Sequence, residues 1–199
     1  MKTKIEQTLE IIQKKGTMRP RDLAAYNIPQ IYLYELYQQG KIVRLSRGLY
    51  APSYDTLTQY HSFVEVCKRV PHGVICLLSA LQFHELTTQL PFDVWLAIDR
   101  RAHKPKLDGV PLRITRFSGK ALETGIERHY IEGVEIAVYS PAKTVADCFK
   151  YRKKIGVDVA IEALKDTLTH KKASIQEIWK YAEICRVSKV ISPYLEALQ

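Results

Sequence analysis

Between Thr17 and Ala51 the chain reads TMRPRDLAAYNIPQIYLYELYQQGKIVRLSRGLYA, and this stretch constrains the fold more than any other. Leu23 and Ala24 give a first helix its apolar face, Asn27 and Pro29 break it and open a second, and Gly40 closes that second helix. The turn between them is short, from Tyr26 to Ile28. After Gly40 the residues alternate through Ile42, Val43 and Leu45, turn at Ser46-Arg47-Gly48, and return through Leu49-Tyr50-Ala51 before Pro52 ends the ribbon. Upstream, Ile5, Leu9 and Ile12 recur at helical spacing between Lys2 and Lys15, with Gly16 as the stop. Helix, helix, turn, helix and ribbon, in that order, read as a winged helix-turn-helix.

At ~100° per residue, Leu33, Leu36 and Tyr37 of the second helix share one face with Gly40 and must pack inward, while Ile31, Tyr34, Glu35 and Gln38 point away. Gln30 lies at the N-terminal turn, the end of a recognition helix that enters the major groove. A glutamine can bond adenine bidentately, Ile31 can touch a thymine methyl, and Tyr34 is long enough to reach a phosphate. The candidate DNA-binding set is therefore Gln30, Ile31, Tyr34 and Gln38 on the helix, with Arg44, Ser46 and Arg47 on the ribbon. A helix-turn-helix with a ribbon also serves as a protein-interaction module, a reading that the arginines at the ribbon tip oppose.

The net charge of +9 over 199 residues favours a polyanionic partner. The excess is spread, nine Lys or Arg against five acids over residues 1–55 and twenty-one against sixteen beyond. No apolar run approaches the ~20 residues of a membrane helix, and the first segment alternates charged and apolar residues instead of forming a signal core. A cytoplasmic location with no membrane partner is expected. Cys67, Cys76, Cys148 and Cys185 lack C-x-x-C spacing and paired histidines, so buried thiols are expected instead of zinc ligands.

Ala51-Pro52-Ser53-Tyr54-Asp55 has turn composition and precedes a new periodic segment, which predicts a DNA-binding domain over 1–55 and a second domain over 56–199. The spacing predicts a helix from Thr56 to Val70, a β-prone Val74 to Leu77, a helix from Ser79 to Leu86 capped by Ser79, and a buried strand DVWLAI from Asp93 to Ile98. Leu112 to Phe117 alternates, and Tyr130-Ile131 with Val134 to Tyr139 forms a hairpin turning at Glu132-Gly133. After Ser140-Pro141 the chain is helical. The last helix is expected over Lys189 to Leu198, kinked at Pro193 or delayed to Ser192. The fold class is α+β: a winged helix-turn-helix, then a mixed α/β domain ending in a C-terminal helical bundle.

Catalytic signatures are absent. There is no phosphate-cradling glycine loop, no G-x-S-x-G and no H-E-x-x-H, and the six histidines, among them His84 beside Glu85, have no metal spacing. No catalytic residue, metal or cofactor is assigned. The densest charge feature is Arg100, Arg101, His103, Lys104 and Lys106, continued by Arg113 and Arg116 on the next strand. Alternation sets Arg113 opposite Arg116, so Arg100, Arg101, Lys104, Lys106 and Arg116 form a candidate second phosphate patch, weighed equally against a solvated loop. The run Lys150 to Lys154 ends a helix, where cations favour the dipole, and reads as structural.

Three runs together resemble the AbiEi-type antitoxins of bacterial toxin-antitoxin operons: Gly40-Lys41-Ile42-Val43-Arg44 followed by Arg47-Gly48-Leu49-Tyr50; Ser79-Ala80-Leu81 with Leu86-Thr87 and Pro91 ahead of the DVWLAI strand; and Thr144-Val145-Ala146-Asp147 opening the C-terminal helices. Glu85 stands where the family pattern has glycine before Leu-Thr, and Gln30 where an arginine often begins the recognition helix. The resemblance implies a transcriptional autorepressor bound to an operator with inverted repeats. It also implies an antitoxin that counteracts a nucleotidyltransferase-like toxin without a stable complex. Two rival readings stand beside it. One is a regulator whose second domain senses a small molecule; the other is a nucleotidyl or phosphoryl transferase using Asp93 and Asp99, which alternation places on one side of the strand.

Overall fold

The structure is a computed structural model, mixed α+β with a helical N-terminal region, and it describes residues 3–53, 58–105, 107 and 109–198. Tyr54 and Asp55 at the expected domain boundary, the expected helix start at Thr56, and Lys106 of the basic loop lie outside the described residues, as do the side chains of Leu45 and Ser46. The chain divides into two compact units, Met1–Val64 with Tyr130–Glu135, and Glu65–His129 with Ile136–Gln199.

In the first unit, α1 (Lys4–Lys15) opens on a capping box: the Glu6 N–H donates to Thr3 Oγ1 and the Thr3 N–H to Glu6 Oε2 at 2.8 Å, satisfying two donors the helix leaves unpaired. It stops at Gly16, whose φ of +75° favours glycine and whose added Cβ would sit 2.8 Å from the Gly133 carbonyl oxygen. The next element is a 3-10 helix, Pro20–Tyr26, in place of the ordinary helix that the sequence predicts. Only one of its two expected apolar contacts forms, because Leu23 is buried while Ala24 is exposed. Asn27 takes the left-handed conformation at φ 52°, which turns the chain into α2 (Ile31–Gln38).

The ribbon is β1 (Ile42–Ser46) paired antiparallel with β2 (Leu49–Pro52), with a register shift between Arg44 and Ser46 that bends the tip. Met18 adds a third, one-residue strand: its N–H donates to the Tyr50 carbonyl at 2.8 Å and its carbonyl accepts from the Tyr50 N–H at 2.9 Å. Ile12, Met18, Leu23, Ile28, Leu33, Leu36 and Ile42 form one buried cluster, so all three helical segments and the ribbon share a core. The turn residue Glu132 also belongs to this unit. Its carboxylate accepts from the Thr58 N–H and hydroxyl and pairs with His61 Nδ1 at 2.8 Å. Burial raises its pKa, but the bonds from His61 and Thr58 outweigh that and hold it below the ordinary carboxylate value.

The chain passes between units within α3 (His61–Arg69). The second unit holds most of a five-stranded mixed sheet built from β3 (Val74–Ile75), β4 (Val94–Asp99), β5 (Leu112–Phe117), β6 (Ile126–Ile131) and β7 (Val134–Tyr139), in the order β5-β4-β3-β7-β6. β4 is antiparallel to β3 and parallel to β5. Val94 to Ile98 are all buried, as expected of a continuous apolar run covered on both faces. β6 and β7 turn at Glu132 (φ 51°) and Gly133 (φ 72°), a pair of positive φ values that suits a tight hairpin.

Between β3 and β4 lies α4 (Leu77–Phe83), which begins two residues before the expected start and has Cys76 at its cap position. Ser79 does not cap it. Its hydroxyl instead accepts from the Trp95 N–H of β4 at 2.9 Å, a bond across sixteen residues that local pattern cannot reveal. After β5 comes the short α5 (Lys120–Glu123), and after β7 the helices α6 (Pro141–Lys150), α7 (Arg152–Ile155), α8 (Val157–Thr169), α9 (Ile175–Ile184) and α10 (Ser188–Glu196). Ser140 caps α6 ahead of Pro141, as Ser-Pro at a helix start predicts. α10 neither waits for Ser192 nor stops at Pro193, which sits inside it. Leu81, Tyr139, Val145, Phe149, Ala163, Ile178 and Ile191 belong to one buried cluster that joins α4 and the C-terminal helices to the sheet.

His84 follows α4, nearly buried, with Nε2 2.7 Å from the Tyr139 carbonyl oxygen. Burial pushes its pKa below the ordinary 6.5, although the bond to Tyr139 opposes that shift. The folded-state value is depressed, so this group's contribution to stability is whole above the unfolded value and is lost as pH falls from 6.5 toward the folded one. Thermal melts of the wild type should therefore drop as the pH falls below 6.5, and His84→Gln should drop less over the same fall. An identical slope in both proteins would show that His84 is not the titrating group.

Candidate nucleic-acid interface

α2 divides as its sequence requires: Leu33 and Leu36 are buried, while Ile31 is 54% and Tyr34 55% exposed. Ile31, Tyr34 and Gln38 fall at i, i+3 and i+7, one stripe of the helix. Gln30 sits at the cap position, exposed, and its side chain makes no capping bond, which leaves both ends of the amide for an external partner. One residue departs from expectation. Tyr37 is not packed inward with Leu33 and Leu36 but stays 41% exposed, its ring edge-on to Tyr50 of β2 at 6.1 Å.

On the ribbon, Arg44 and Arg47 are both exposed, and Arg47 lies in the turn between β1 and β2. Val43, next to Arg44 in β1, is itself 40% exposed. α2, β1 and β2 share the buried cluster of Leu33, Leu36 and Ile42, and Tyr50 packs on it. The exposed stripe and the arginine-bearing ribbon are thus held on one rigid unit, the arrangement a groove reader with backbone contacts needs.

The expected second patch is only partly a set of available cations. Arg100, Arg101 and Lys104 are exposed, and Lys106 lies outside the described residues. Arg116 turns onto the loop itself: its Nη1 donates to the Asp99 carbonyl at 2.9 Å and to the Ala102 carbonyl, binding the 99–102 turn to β5. Arg113 lies apart, paired with Asp93 at 3.1 Å and stacked 4.9 Å over the Trp95 ring.

Asp93 is thus engaged in an ion pair, and Asp99 Oδ1 accepts from the Arg101 N–H at 2.7 Å, so both carboxylates weighed for phosphoryl transfer have structural partners. The four cysteines are buried thiols, and burial raises each pKa, Cys67 to about 11 and Cys185 to about 12. Among the described residues no three His, Cys, Asp or Glu side chains are grouped to hold a metal ion, and no helix is long and apolar enough to cross a membrane.

Residues 6–53, which contain the whole exposed stripe and the ribbon, match the family described as "Transcriptional regulator, AbiEi antitoxin". The match begins inside α1 and ends just past β2, so its limits coincide with the elements that build the first unit's core. Comparison with curated proteins gives no match.

Proposed function

We propose that this chain, whose residues 6–53 fall within the AbiEi antitoxin regulators, is a DNA-binding autorepressor and antitoxin acting in the cytoplasm. Residues 1–55 are read as a winged helix-turn-helix. In this reading α2 enters the major groove of an operator with inverted repeats, Gln30, Ile31, Tyr34 and Gln38 face base edges, and Arg44, Ser46 and Arg47 on the wing meet the backbone. Residues 56–199, the α/β domain with its C-terminal helices, counteract a nucleotidyltransferase-like toxin without forming a stable complex with it. The observation that carries the proposal is the coincidence of the family match with an exposed, uncapped helix N-terminus beside an arginine-bearing ribbon.

A test that separates the two activities expresses the partner toxin from an unrelated promoter, where repression cannot act. Full-length protein and its Arg47→Ala variant should rescue growth equally, while the variant loses repression of the native promoter in a reporter assay. Rescue that disappears with Arg47→Ala would mean that neutralisation needs DNA binding, and the second domain's assigned role would fall.

A further inference from the structure

A cavity of about 570 Å³ opens in the second unit, within the range of small-ligand sites. Four cations from four separate elements line it: Arg116 on β5, Lys120 at the start of α5, Lys150 at the end of α6, and Arg186 beyond α9. All four are exposed, and among the described residues Lys120, Lys150 and Arg186 have no acidic partner within ion-pair distance. The one carboxylate on the wall does not offset them. Asp147 is 1% exposed and its charge is already met by Lys143 Nζ at 2.5 Å. Like charges gathered around a low-dielectric wall focus a positive potential into the cavity.

An aromatic part of the remaining wall is held in place. Tyr151 is half-buried, packs against Phe117 with ring centres 5.3 Å apart, and donates its hydroxyl to the Arg116 carbonyl at 3.0 Å. Ile184 adds a partly buried aliphatic surface. Arg116 is held by its bonds to the 99–102 carbonyls, so one of the cations is positioned before any ligand arrives. Lys150, which sequence reads as a helix-end cation, faces the same space.

A cluster of forked and point cations suits a chain of phosphates, and an adjoining fixed aromatic wall suits a flat base. We propose that this cavity is a binding site for a nucleoside di- or triphosphate. The site lies outside the segment read as DNA-binding and does not depend on that reading.

Calorimetric titration of the full-length protein with ATP, GTP, CTP and UTP, beside adenosine and inorganic tripolyphosphate, tests it. At least one nucleotide should bind, more tightly than tripolyphosphate and far more tightly than adenosine. Lys150→Gln with Arg186→Asn should weaken that binding by at least about tenfold, the effect of losing one charge-assisted contact. Lys165→Gln with Lys171→Gln, which removes equal charge from exposed positions outside the cavity, should leave it unchanged. Equal losses in both double variants would reduce the effect to non-specific charge and overturn the site. It would be overturned equally if no nucleotide binds, or if adenosine binds as well as ATP. Tripolyphosphate binding as tightly as every nucleotide would overturn the assignment to a nucleotide.

Discussion

Lys143→Met should destabilise the protein by about 3–5 kcal/mol, the cost of leaving a buried charge without its partner. Lys143 and Asp147 stand one turn apart on α6, 0% and 1% exposed, with Nζ 2.5 Å from Oδ2. The ammonium lies 4.0 Å from the Tyr139 ring centre and 4.9 Å from that of Phe117, so two aromatic faces stand in for lost water. The carboxylate's second oxygen accepts from Cys185 Sγ at 3.2 Å. Burial nonetheless raises the Asp147 pKa, against the opposing pull of Lys143. Gly125 is part of the arrangement, since a Cβ there would sit 2.7 Å from the Lys143 Cβ. Asp147→Leu should cost as much as Lys143→Met, whereas the double replacement Lys143→Met with Asp147→Leu should recover most of the loss, because no unpaired charge remains. Urea denaturation of the four proteins measures this. A loss below about 1 kcal/mol in either single variant would place the pair among solvated ones, worth little.

Gln30→Ala and Tyr34→Ala should each cost roughly 1 to 3 kcal/mol on the protein's own operator and little on an unrelated duplex, if α2 reads bases. Both side chains are exposed and neither supports the Leu33–Leu36 core, so the losses should come without a change in thermal stability. Arg44→Ala with Arg47→Ala should behave differently, weakening binding on every sequence and lowering the salt slope by about one unit per lost phosphate contact. Anisotropy titrations at several salt concentrations distinguish the two patterns. Equal losses on operator and unrelated DNA for Gln30→Ala and Tyr34→Ala would reassign these side chains to positioning.

The parts of the fold visible in the sequence are those that local spacing determines. Ile5, Leu9 and Ile12 with Gly16 give α1, the DVWLAI run gives β4, Glu132-Gly133 gives the hairpin, and Ser140-Pro141 gives the start of α6. What local pattern misses depends on distant partners. Met18 pairs with a single residue, Tyr50, and one residue has no periodicity to read. Ser79 looks like a cap but is committed to Trp95, and Lys143, of a residue type almost never fully buried, is buried against Asp147. Pro193 is tolerated within α10, against its intrinsic cost, in a segment where Ile191 and Leu195 are buried. In the candidate site the helix stripe is legible and the exposure of Tyr37 is not, because its partner Tyr50 comes from the ribbon. The cavity cations are the least legible, since Arg116, Lys120, Lys150 and Arg186 are brought together only by the completed fold.

Whether residues 6–53 form a sequence-reading DNA module is tested most directly by titrating the full-length protein with its own promoter fragment and with a scrambled duplex. At physiological salt the promoter should bind at least about a thousandfold more tightly than the scrambled duplex, and Gln30→Ala with Tyr34→Ala should collapse that ratio. Equal binding of the two duplexes by the wild type would contradict sequence reading by this module.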